Sequence, residues 1–155
     1  MTSIVEQKLK TMGIVLPEPA VPAAAYVPYT ISGRQVIISG QLPMKDGKPQ
    51  GVGKVGGEVS VEQAQEIARL CGLNVLAHLK TACGGNLDRV RKCLRLGVFV
   101  HSTPEFTEQP KVANGVSEMM LQLFGEAGKH ARAAVGVAQL PFGVAVEVEA
   151  LFEIE

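Results

Sequence analysis

The sequence has no excess charge of either sign: Lys+Arg and Asp+Glu number 15 each in 155 residues. An electrostatic footprint for nucleic acid or an anionic membrane is therefore missing. No run of apolar residues approaches the length of a membrane span. The N-terminal stretch MTSIVEQKLKTMG interrupts its apolar residues with charges and is no secretory signal, so a cytoplasmic location is the expectation. Cysteine is sparse. Cys71, Cys83 and Cys93 form no CxxC pair, which argues against a zinc ribbon or a thioredoxin-like site and leaves three reduced thiols in or near the core. His78, His101 and His130 are too scattered to mark a metal cluster.

What remains is a hydrophobic fraction of 46%, enough to fill the core of one compact domain. Residues 3–12 read as a short helix stopped by Gly13. Pro17, Pro19, Pro22 and Pro28 then impose an extended lead-in, because proline fixes its own φ and disfavours helix before it. Two short strands, 29–32 and 35–39, turn at Gly33. Residues 45–57 read as a loop. Ser60 and Gln63 form a capping box that opens a long helix, and Gly84–Gly85 stops it. Within it Ala64, Ile67, Ala68, Cys71, Val75 and Leu79 keep helical spacing. A strand at 91–102, a loop carrying Pro104 and Pro110, a helix at 112–125 and two strands at 131–140 and 144–152 complete the order. That order predicts an α+β domain with two main helices layered on one face of a sheet.

The segment ARAAVGVAQLPFGVAVEVE, residues 131–149, carries the chemistry. Along its first strand Val135 and Val137 share one face, and Arg132, Ala134, Gly136 and Ala138 share the other. Along its second, Val144, Val146 and Val148 oppose Ala145, Glu147 and Glu149. If the valine faces pack under the helices, Arg132 and Glu147 both lie on the open face. Small residues there would let a second copy approach closely. A pocket at that boundary would be floored by Ala134 and walled by Arg132 and Glu147. An arginine fork matches a carboxylate in two places, and a glutamate beside it can position water or take up a proton. Taken alone, an arginine and a glutamate on strands are more often solvated or paired. Tyr26 alone reads as packing, Asn114 as a helix cap, and His130 as an exposed residue at a strand entry.

Two phrases alter that balance. IISGQLP at residues 37–43 and HARAAVGVAQLPFGVAVEVEA at residues 130–150 resemble the reactive intermediate deaminase family, the RidA/YjgF family. Tyr26 precedes Ser39 by thirteen residues, as the family's pocket tyrosine precedes its SGQ, and Asn114 sits in VANG, close to the family's VN step. The likeness runs from about Tyr26 to Phe152. It implies a chorismate-mutase-like fold with a mostly antiparallel sheet, and homotrimers with pockets between subunits. The domain would cover residues 25–155, with residues 1–24 as an N-terminal helix and proline-rich lead-in marking a divergent subgroup. The implied activity is hydrolysis of enamine or imine intermediates such as 2-aminoacrylate to a 2-keto acid and ammonia, with no metal or organic cofactor. By resemblance Arg132 clamps the substrate carboxylate and Glu147 positions water. Tyr26, Ser39, Gly40, Asn114 and Ala134 line the pocket. Ala134 stands where active members often have a cysteine, which changes the pocket's shape and polarity. Two other readings stay open: a non-catalytic binder of 2-keto acids, and an RNA-cleaving or translation-inhibiting protein. Zero net charge and the lack of a basic aromatic stripe argue against the second.

Overall fold

The computed structural model describes residues 3–22 and 24–155; Met1, Thr2 and Ala23 of the lead-in lie outside the described residues. Helix α1 spans Ile4–Thr11, α2 Val61–Ala82 and α3 Gln109–Phe124. Strands β1 (Tyr29–Ser32), β2 (Gln35–Gln41), β5 (Val90–His101), β6 (Ala131–Val137) and β7 (Val146–Ile154) form one sheet in the order β1-β2-β7-β5-β6. Every pairing is antiparallel except β5 with β6. The expected α+β fold, mostly antiparallel with its two main helices on one face, is the one observed.

Local chemistry accounts for the elements. Ser60 and Gln63 make the reciprocal capping box that starts α2, and Gly84 ends it at φ 65°. The apolar stripe of α2 then meets α3 and the inner face of the sheet. Phe152, Ile38, Leu76, Leu79, Met119 and Leu123 are almost fully enclosed there. The three cysteines are free and buried in the same core.

Three boundaries differ from the sequence reading. Residues 45–57 are not a plain loop: β3 (Met44–Lys45) and β4 (Lys48–Pro49) pair across Asp46–Gly47, both at positive φ. Asp-Gly is the dipeptide such a hairpin turn demands. Helix α3 starts at Gln109 and takes Pro110 into its first turn, where a missing N–H costs nothing. Strand β6 ends at Val137.

Helix α1 packs against α3 and buries Val5 and Leu9 in the common core. Asp88 holds its N-terminus, accepting from Ser3 Oγ (2.7 Å), Ile4 N (2.9 Å) and Val5 N (3.0 Å). These donors, the Val5 N–H foremost, hold the Asp88 carboxyl below its ordinary range. Asp88→Ala is expected to lose about 1 kcal/mol, the usual worth of a helix cap, read as a lower thermal midpoint. A depressed carboxyl stabilises above its unfolded pKa and loses that contribution as pH falls through the folded one. The gap between wild type and variant should therefore close under acid.

Register decides which way the site residues point. Leu96, Val98 and Val100 of β5 face the helices and are buried. Arg132, Ala134 and Gly136 pair with them across β5–β6 and so face the helices too. Glu147 pairs with Phe99 and lies on the open face with Val135. The expectation that Arg132 and Glu147 share the open face is thus overturned. Val135 is 46% exposed, whereas Ala134 packs against the core. Size, not hydropathy, oriented β6. A Cβ on Gly136 would lie 2.8 Å from Ser102 Oγ and 2.9 Å from Gln109 Nε2 at the start of α3, so a glycine suits the close approach at that point.

Candidate functional site

The predicted residues gather in two clusters on opposite faces of the sheet. The first stands where β6 meets α3. Arg132 Nη1 donates to Asn114 Oδ1 at 2.8 Å and to Ser117 Oγ at 3.1 Å. Ser117 Oγ lies 2.8 Å from His130 Nε2, and His130 Nδ1 lies 2.6 Å from Gly128 O. Ala134 sits one pleat beyond Arg132 on the same face. Asn114 is therefore not a helix cap, since it lies well inside α3. Nor is His130 an exposed strand-entry residue, because both its ring nitrogens are engaged.

Arg132 has no ion-pair partner among the described residues. Its acceptors are a neutral amide and a neutral hydroxyl, so its full charge remains for a ligand. Arg95 on the open face provides the contrast: it is paired with Glu149 at 2.9 Å.

The second cluster lies on β2 and β7. The β2–β7 register shifts between Ile38 and Gln41, a bulge at Ser39–Gly40. That bulge turns the bare side of Gly40 toward Glu147. A Cβ there would lie 3.0 Å from Glu147 Cδ. Ser39 donates from Oγ to Val27 O at 2.7 Å and from its backbone N to Pro28 O at 2.9 Å. These bonds anchor the strip that carries Tyr26, which is itself exposed.

Glu147 is half-buried, and burial, then the neighbouring Glu149, pushes its carboxyl above the ordinary range. A carboxyl moved toward neutrality exchanges protons more readily near neutral pH. It also costs stability: the raised group favours the fold when protonated and loses that advantage as pH rises through the folded pKa. Glu147→Gln, a fixed copy of the neutral form, should raise the thermal midpoint at neutral pH, with the gain vanishing in acid. Thermal melts at two pH values check this.

One chain does not bring the two clusters together. Arg132 lies level with Leu96 and Ala150, three residues along β7 from Glu147 and two strands away. At about 4.8 Å per strand and 3.3 Å per residue, the Cα atoms stand roughly 14 Å apart, with side chains leaving opposite faces. Sequence reasoning missed Ser117 and the engaged state of His130. A signal for Ser117 was present: it follows Asn114 by three residues, one turn along the same helix flank.

Residues 6–153 match the family described as "YjgF/chorismate mutase-like, putative endoribonuclease". The protein named TCP17 from Trypanosoma cruzi is 50% identical over 151 residues, 97% of this chain and 94% of that protein. A crystal structure of a protein of unknown function from Agrobacterium tumefaciens is 47% identical. It superposes with a TM-score of 0.92 over 98% of this chain and 93% of its own. An endoribonuclease-designated structure from Shewanella oneidensis is 34% identical, with a TM-score of 0.93 over 99% and 100% of the two chains.

Proposed function

The chain belongs to the YjgF/chorismate mutase-like family, and from that premise we propose that it is a hydrolytic deaminase of small, carboxylate-bearing enamines and imines of the 2-aminoacrylate type. The observation that carries the reading is Arg132, held by Asn114 and Ser117 with no carboxylate partner among the described residues. Such a guanidinium is set to receive an anionic ligand.

The chemistry needs few parts. An enamine takes a proton from solvent at C3 and becomes the iminium ion. Water attacks C2 while the Glu147 carboxylate accepts one of its protons, giving a carbinolamine. That proton passes to nitrogen, the hydroxyl returns its proton to solvent as the C=O bond forms and the C–N bond breaks, and ammonia leaves a 2-keto acid. The raised carboxyl of Glu147 suits the relay. No step requires a metal or an organic cofactor.

Because Arg132 and Glu147 leave opposite sheet faces, the pocket is assembled between copies, one lending its arginine and the next its glutamate. We take the assembly to be a homotrimer. Ile37 (49% exposed) and Val135 (46% exposed) lie on the open sheet face together with Ala131, Ala133 and Gly97, which supports its burial by a second copy. A monomeric mass at micromolar concentration would remove the shared pocket. Tyr26, Ser39 and Gly40 then border the substrate beside Glu147, and Asn114 and Ala134 do so beside Arg132.

The test generates 2-aminoacrylate or a homologous imine from an amino acid in the assay and follows 2-keto acid and ammonia. Rates equal to the no-protein control across several imines would sink the deaminase. Binding of 2-keto acids without turnover would instead make the chain a metabolite binder. RNA cleavage fits less well, since the chain carries no net positive charge.

A further inference from the structure

The hydrogen bonds behind Arg132 admit one arrangement of protons when the imidazole is neutral. A backbone carbonyl only accepts, so the 2.6 Å bond to Gly128 O puts the ring hydrogen on His130 Nδ1. Nε2 is then bare and accepts the Ser117 hydroxyl hydrogen across 2.8 Å. That leaves the Ser117 lone pairs for Arg132 Nη1. Asn114 offers its carbonyl oxygen to the other Nη1 hydrogen, because a guanidinium has nothing to accept with. Both hydrogens of Nη1 are thus used.

Three N–H groups remain on Arg132: one on Nε and two on Nη2. A carboxylate can grip a guanidinium in two places at the Nη1–Nη2 end or along the Nε–Nη2 side. The end is closed, since Nη1 has no hydrogen to give. The side is open, with two parallel hydrogens.

We propose that Ser117 and His130 are positioning residues that commit Arg132 to a side-on, Nε/Nη2 grip of the substrate carboxylate. The pair fixes the plane of the guanidinium and so the direction in which C2 of the substrate is presented. With a neutral imidazole the pair does this without drawing off charge, as a carboxylate in its place would. The proposal rests on the carboxylate-binding role of Arg132 set out above.

The test uses the full chain and pyruvate as probe, alongside imine turnover. Nitrogen NMR of the imidazole should report the Nδ1–H tautomer for His130; an Nε2–H ring overturns the proposal whether or not the protein is an enzyme. Pyruvate should shift the Arg132 Nε–H resonance, and a shift confined to Nη1 would again overturn it. Ser117→Ala removes the bonds to Arg132 and His130, and His130→Leu removes those to Ser117 and Gly128, so Kd for pyruvate and KM for the imine should rise about 3- to 10-fold with kcat little changed. His130→Gln, whose carbonyl can accept the Ser117 hydrogen, should recover most of the loss. If the Ser117→Ala and His130→Leu variants keep wild-type Kd and KM while turnover persists, the positioning role falls and the deaminase stands. If imines are not hydrolysed but pyruvate binds on Nε and loosens in both variants, the deaminase falls and the positioning role stands. Absence of both pyruvate binding and imine turnover removes both.

Discussion

Arg132→Ala should lower kcat/KM for carboxylate-bearing imines by about 10²- to 10⁴-fold. The side-on grip makes two charge-assisted hydrogen bonds, each worth about 1.5–3 kcal/mol, and each 1.4 kcal/mol is close to a factor of ten. Fold stability should change little, because Arg132 is exposed, half-buried Asn114 can turn to water, and buried Ser117 keeps its bond to His130. Arg132→Lys should recover only part of the loss, since a point charge cannot reproduce a planar two-point contact. Steady-state kinetics with a matched melting curve check both claims. A variant that kept wild-type kcat/KM on every imine tried would break the assignment of Arg132 as the carboxylate clamp.

Gly115→Ala should be the most damaging single substitution for the fold among those considered. Helices α2 and α3 cross where Gly115 meets the Gln65 backbone, and an added Cβ would overlap the Gln65 carbonyl. Alanine improves helix propensity by about 1 kcal/mol over glycine. Overpacking costs about 1–3 kcal/mol even where side chains can yield, and here the obstacle is main chain, which cannot rotate aside. The helices must part, loosening the α2–α3 contact that Gln65 Nε2 also spans by donating to Lys111 O at 2.8 Å. The net loss is expected at about 2 kcal/mol or more, a fall in thermal midpoint of roughly 4–8 °C for a chain of this size. Asn114 is the adjacent residue, so carboxylate binding should weaken alongside. A midpoint equal to wild type would mean that the helices tolerate the methyl, and the close crossing would lose its structural weight.

The elements were legible because short-range signals name them. Ser60 with Gln63, the Gly84–Gly85 stop and the stripe from Ala64 to Leu79 are local statements about one helix. Asp46–Gly47 was equally local, but a lysine- and glycine-rich composition concealed the hairpin. The faces of β6 were not legible. Valine outranks alanine and glycine in hydropathy, so parity assigned Val135 to the core. Which face is interior depends on long-range packing of α3 over β6, where Gly136 meets Ser102 and Gln109. The site divided in the same way. Motif resemblance drew attention to Arg132, Asn114, Gly40 and Glu147, and the structure brings them together only as two pairs. The Ser117–His130 support was hidden, because a serine inside a helix and a histidine before a strand have no chemistry until the fold sets them 2.8 Å apart.

The opposite-face placement of Arg132 and Glu147 has a consequence in genetic terms. In the proposed assembly the two halves of a pocket come from different molecules, so they behave as separate complementation groups within one gene. A chain that has lost its arginine still lends a sound glutamate to its neighbour, and the reverse holds. Two alleles that are each silent alone can therefore restore working pockets when expressed together, whereas both lesions on one allele leave nothing to share.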